Sequence, residues 1–115
     1  MDVMRLAIGI FAWFYIIFPV GIVQADSGWT DYGYVVELNP TSQYYYSVQL
    51  DVKQNPSGCK NKKWFYQDSK IPGANKMFLI LLDALKENMR VRVYVTGGCN
   101  LHGHSAFSSV SVIRK

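Results

Sequence analysis

Two cysteines and two histidines are all that this 115-residue chain offers toward metal or redox chemistry. That leaves little room for a multi-cysteine zinc module or a densely cross-linked mini-domain. Acids are also scarce, eight Asp and Glu against twelve Lys and Arg, and no two of them are placed as a glycoside-hydrolysing pair. The chain has no G-x-S-x-G nucleophile elbow and no phosphate-binding glycine loop. Repeats, low-complexity tracts and internal linkers are absent as well. Both Asn-Pro-Thr/Ser triplets, at 39–41 and 55–57, fail as glycosylation acceptors because proline fills the middle position.

What is present begins with an export signal. Arg5 precedes an almost unbroken apolar run from Leu6 to Val20, Pro19 and Gly21 break it, and Val23-Gln24-Ala25 has the short side chains a signal peptidase needs. The expected organisation is therefore a cleaved signal peptide over 1–25 and one domain over 26–115. The run is slightly short for a bilayer anchor, so no stable membrane anchor is expected. Localisation follows as secreted or periplasmic after cleavage near Ala25. The leader carries one acid, Asp2, and one base, so the mature domain keeps the net charge of +4. A balance of that sign favours anionic surfaces or sugars, or serves solubility. Nucleic acid is not an expected partner outside the cell.

A domain of this size buries only about 60–65% of its unfolded surface and gains from a covalent staple. In an oxidising compartment Cys59 and Cys99 read as a disulfide.

Periodicity orders the elements. Residues 26–33 read as a loose lead, and Tyr34 to Leu38 as a short strand ended by a turn at Asn39-Pro40. From Tyr44 to Lys53 the alternation is clearest: Tyr44, Tyr46, Val48, Leu50 and Val52 on one face, Tyr45, Ser47, Gln49 and Asp51 on the other. A third strand spans Lys63 to Gln67, with Phe65 opposite Trp64 and Tyr66. Phe78, Leu81, Leu82 and Leu85 then fall at helical spacing, with Asn88 as the stop. Val91, Val93 and Val95 alternate with Arg90, Arg92, Tyr94 and Thr96 in a fourth strand. A fifth runs from Phe107 to Ile113, with Val110 and Val112 inward. The order β-β-β-α-β-β predicts an OB-fold, a mainly β five-stranded Greek-key barrel plugged by one helix.

Catalytic and metal readings are weak. Cys99-Asn100-Leu101-His102-Gly103-His104 brings a cysteine and two histidines together, but the spacing is not an established zinc pattern. Ser105, Ser108, Ser109 and Ser111 are plentiful, yet a triad is defined by geometry. No metal, cofactor or catalytic residue is expected, and the protein reads as a non-enzyme.

The aromatic surplus carries more. Trp29, Tyr32, Tyr34, Tyr44, Tyr45, Tyr46, Trp64, Phe65, Tyr66 and Tyr94 crowd one small domain. An exposed aromatic beside hydroxyls and cations suits a sugar, whose C–H face stacks on the ring. Ser42, Tyr44 and Tyr45 at a strand entrance, and Lys60 in the basic cluster Lys60-Lys62-Lys63, are the glycan-binding candidates. The lysines would hold an acidic sugar such as sialic acid.

The run Leu81-Leu82-x-Ala84-Leu85 leading into Val91-Arg92-Val93-Tyr94, the opening Gly28-Trp29-Thr30 and the Tyr44-Tyr45-Tyr46 strand resemble the B subunits of AB5-type bacterial toxins. The likeness is to those of subtilase cytotoxin and typhoid toxin. The chain departs from them in its single cysteine pair and in a shorter stretch between the last two strands. The resemblance implies an OB-fold, a homopentamer, recognition of host-cell glycans and a separate catalytic A subunit. The competing expectation is a stand-alone secreted or periplasmic interaction protein, an inhibitor or envelope accessory factor, without catalysis.

Overall fold

The computed structural model describes residues 27–114; the expected signal peptide, 1–25, lies outside them. The elements are β1 (Gly28–Trp29), β2 (Gly33–Pro40), β3 (Tyr45–Leu50), β4 (Trp64–Asp68), α1 (Ala74–Glu87), β5 (Arg90–Cys99) and β6 (Ser105–Ile113).

Strands β2 to β6 close into a ring. β5 pairs β2, β2 pairs β3, β3 pairs β4, β4 pairs β6, and β6 returns to β5. All these pairings are antiparallel except β4–β6, which is parallel and registers only Phe65 with Ser105 and Tyr66 with Ala106. The helix lies between the third and fourth strands of the ring. This is the OB-like five-stranded barrel expected from the element order.

Alternation explains the interior. Val48 and Leu50 of β3, Phe65 of β4, Val91, Val93 and Val95 of β5, and Phe107 of β6 are all buried in one cluster. Leu81 and Ala84 of α1 join it, and Met77 and Phe78 pack against it. Tyr46 ties helix to barrel: its ring meets Phe78 edge-on at 5.0 Å and Phe107 at 6.0 Å. Its hydroxyl donates to Gln67 Oε1 at 2.7 Å, and Gln67 Nε2 donates to the Phe107 carbonyl at 3.2 Å. Burial pushes the Tyr46 hydroxyl pKa well above its ordinary value. Gln67 is fully enclosed, so these bonds satisfy an amide that would otherwise be costly to bury.

Four expectations change. The lead is not wholly loose, because Gly28 and Trp29 pair with Val95 and Tyr94 as an extra strand on β5. Strand β2 runs through Asn39 and Pro40, which register with Ser47 and Tyr46, so the turn falls after them. Tyr44 does not extend the buried register of β3. It sits at φ 65° and is 71% exposed, because the chain reverses there before the strand begins. Val112 stays exposed at the end of β6, beyond the reach of the core that half-buries Val110.

The helix ends as its sequence indicates: Asn88 adopts a left-handed conformation (φ 57°) and donates its N–H to the Ala84 carbonyl. Gly33 is required where β2 passes from β5 to β3, since a Cβ there would lie 2.6 Å from Asp51 Oδ1 and 2.9 Å from Val52 N.

The Cys59–Cys99 disulfide is formed within the chain, with 5.6 Å between Cα atoms and 40 residues of separation. It lies beside the parallel seam. Cys99 registers with Ser105, whose hydroxyl is 2.7 Å from Ser57 Oγ and 3.2 Å from Asn55 Nδ2. Closing a loop of this length stabilises by on the order of 4 kcal/mol. The paired substitution Cys59→Ala, Cys99→Ala is therefore expected to lower stability by about that amount in a urea titration with free thiols blocked. An unchanged midpoint would show that the seam holds without the staple.

Candidate functional site

Three loops and two strands meet in a cleft of about 480 Å³. The β2–β3 turn supplies Gln43 and Tyr44, and β3 and β4 supply Tyr45, Tyr66 and Asp68. Lys70 comes from the approach to α1, and the β5–β6 loop closes the far wall with Asn100, Leu101 and His102.

Local chemistry holds each part. In the β2–β3 turn, the Thr41 hydroxyl donates to the Tyr45 carbonyl at 2.7 Å and accepts the Gln43 N–H at 3.1 Å. The Tyr44 carbonyl accepts the Ser69 N–H at 2.8 Å, which docks this turn on the one after β4. That contact brings Lys70 over the Tyr44 ring, with Nζ 5.4 Å from the centroid. Lys70 is itself placed by Asp68, whose carboxylate accepts the Lys70 N–H at 2.9 Å. On the cleft floor Tyr45 and Tyr66 meet edge-on at 6.5 Å.

The far wall is braced by one asparagine. Asn100 Oδ1 accepts the N–H groups of both His102 and His104 at 3.0 Å, and the Asn100 carbonyl accepts that of Gly103 at 2.9 Å. Gly103 has φ 79°, and its carbonyl accepts the Asn61 N–H at 3.0 Å. An added Cβ there would lie 2.9 Å from Lys60 Cβ, so only glycine lets the loop settle on the 60–61 turn. The Cys59–Cys99 bond fixes the same two segments.

Exposure singles this cleft out. Leu101 is fully exposed and Tyr44 is 71% exposed, the two highest values among the large hydrophobic side chains of the described residues. Both lie on this one cleft. A second cleft of about 300 Å³ lies on the other side of Tyr45 and Tyr46, against the first turn of α1.

Of the candidate glycan ligands, Tyr44 and Tyr45 are brought together here. Ser42 is exposed in the turn but does not line the cleft, and Lys60 is exposed behind the far wall. Gln43, Tyr66, Asp68, Lys70, Asn100, Leu101 and His102 were not legible as one site. The available signal was the cysteine pair, which brings the Cys99–His104 segment to Lys60, and the OB order, which sets that loop near the β2–β3 turn.

Among the described residues no three His, Cys, Asp or Glu side chains gather to hold a metal ion. His104 stacks on Trp64 at 5.4 Å and 17°, with His102 5.6 Å away. Its Nδ1 is buried without a hydrogen-bond partner among the described residues. Burial, and then the nearby His102, hold its pKa below the ordinary imidazole value. A group depressed in this way binds protons more readily unfolded than folded, so its contribution is whole above about pH 6.5 and is lost as pH falls. The melting temperature is expected to drop between pH 7.5 and pH 5, and less so in His104→Gln. Parallel pH profiles for the two proteins would contradict this.

Comparison with protein-family models, with curated proteins and with solved structures finds no match to this chain.

Proposed function

We propose that this protein is a secreted, non-catalytic glycan-binding subunit, of the sialoglycan-recognising kind found in AB5-like bacterial toxins. One observation carries the reading. The two most exposed large hydrophobic side chains among the described residues, Leu101 and Tyr44, flank a cleft whose floor is Tyr45 and Tyr66 and whose rim presents Gln43, Asp68, Lys70, Asn100 and His102. Aromatic faces suit the C–H face of a sugar ring, and the amides and carboxylate suit its hydroxyls. Lys70 supplies a cation for an acidic sugar. The site also lies where OB barrels take oligosaccharides, between the loop joining the first two ring strands and the loop joining the last two.

Assembly with further copies is part of the same proposal. Residues Met77 to Leu82 are six consecutive apolar side chains on a solvent-facing helix. One barrel covers only one stripe of such a helix, leaving Leu79 51% and Ile80 37% exposed. A ring of identical subunits would cover them, and a catalytic A subunit would be its natural cargo. Export is supported by the intrachain disulfide. No helix among the described residues is long and apolar enough to cross a membrane.

Two measurements test this. Light scattering under non-reducing conditions is expected to give a stable oligomer, five copies on the toxin-like reading. On a broad glycan array the protein is expected to select sialylated structures. Tyr44→Ala and Tyr45→Ala should each weaken that binding by about five- to tenfold, the worth of roughly 1 kcal/mol for an aromatic contact. Tyr44→Ala should leave the melting temperature unchanged, because its ring is outside the core. A monomer blank on the array would instead favour a stand-alone interaction protein.

A further inference from the structure

A second cluster lies apart from the cleft, on the outer face of the barrel where β1, β5 and β6 run side by side. Arg92 stands at its centre. Its guanidinium carbon lies 4.4 Å from the centroid of the Trp29 ring and 5.0 Å from that of Tyr32. Trp29 meets Tyr94 edge-on at 5.4 Å and 84°. Arg92 registers with Ser111 and Tyr94 with Ser109, so the four side chains share one face. The Tyr32 hydroxyl is 3.3 Å from Ser111 Oγ.

This arrangement positions a cation without using its donors. A ring face attracts the charge but offers no lone pair to an N–H group. Arg92 Nε is buried and has no hydrogen-bond partner among the described residues. The two acids flanking the β2 segment are committed to the backbone: Asp31 accepts the N–H groups of Lys53 and Gln54, and Asp51 accepts that of Tyr34. An unmet guanidinium donor held between aromatic rings and bordered by serine hydroxyls is a poor structural solution, because ring contact alone leaves the donor's desolvation uncompensated. Arg92 as a whole is only half-buried, so a carboxylate can approach the Nη end of its planar fork, which donates to that group in a bidentate geometry.

We propose that this face is a second binding site, taking the carboxylate of an acidic sugar on Arg92, its ring against Trp29 and its hydroxyls on Ser109 and Ser111. Trp29 is 39% exposed and so retains open aromatic surface for such a ring. The site uses none of the cleft residues and does not rest on the cleft being a glycan site.

The indole N–H resonances of the purified, ¹⁵N-tryptophan-labelled protein report on it, with that of Trp29 assigned through Trp29→Phe. The probes are a methyl glucuronide and a methyl N-acetylneuraminide, each against its uncharged methyl ester. At least one acid is expected to shift the Trp29 resonance saturably, while its ester does not. Arg92→Lys, which keeps the charge and loses the fork, should weaken the response by at least about tenfold, the usual worth of a charge-assisted hydrogen bond. Tyr44→Ala should leave the response unchanged, which separates this site from the cleft. Should Arg92→Lys fail to fold, Ser109→Ala with Ser111→Ala serves instead, and a weaker response is expected. The proposal is overturned if neither acid moves Trp29, if the esters act equally well, or if Arg92→Lys responds as the parent does. An acidic peptide giving the same saturable shift at the same concentration would overturn the assignment to a sugar.

Discussion

The barrel is a closed surface, and its closure depends on a seam only two residue pairs long. Strands β4 and β6 run parallel, and only Phe65 with Ser105 and Tyr66 with Ala106 are in register. Parallel pairing is slightly the weaker kind per residue, and so short a ladder has little cooperativity of its own. Support comes from immediately beside it. The Cys59–Cys99 bond joins the segment before β4 to the end of β5, Cys99 registers with Ser105, and Ser57 and Asn55 both bond the Ser105 hydroxyl. If β6 left β4, Phe65 and Phe107 would lose their enclosure and the barrel would become an open sheet.

The same constraint builds the cleft. Fastening Cys99 to Cys59 holds the β5–β6 loop against the 60–61 turn, where Gly103 permits close approach. Asn100 then fixes the loop's shape, and Leu101 and His102 are left facing Tyr44 and Lys70. Stability and site geometry thus share one covalent bond. His104 belongs to this arrangement as a packing residue, stacked on Trp64, and burial there lowers its pKa. The loop at the cleft wall is therefore expected to respond to acid through His104.

Much of the fold was legible because one-dimensional periodicity maps directly onto burial. The alternating valines of β5 and the Tyr46-Val48-Leu50-Val52 register all point inward as the pattern requires. The limits of that map are equally specific. Tyr44 continues the alternation in sequence, yet its positive φ turns it outward, because periodicity does not report where a strand begins. Val112 keeps the inward parity but lies past the end of the core. Ser47 has the parity of a wet residue and is buried, since neighbouring elements cover part of the outer face too. Gly28 and Trp29 looked like a lead because two residues show no period at all, and only the partner strand makes them β1.

The sequence by itself determined the five ring strands and the helix, the helix stop at Asn88, the one possible cysteine pairing within a chain and the aromatic surplus. Each is a local property, set by side-chain period, backbone preference or simple count. Only the tertiary structure decided which aromatics meet. Tyr44, Tyr66 and Leu101 come from three distant segments, and Trp29 with Tyr32 meets Arg92 from some sixty residues away. Their convergence follows from ring closure and strand register, which depend on contacts between strands far apart in the chain and therefore leave no mark on any one of them.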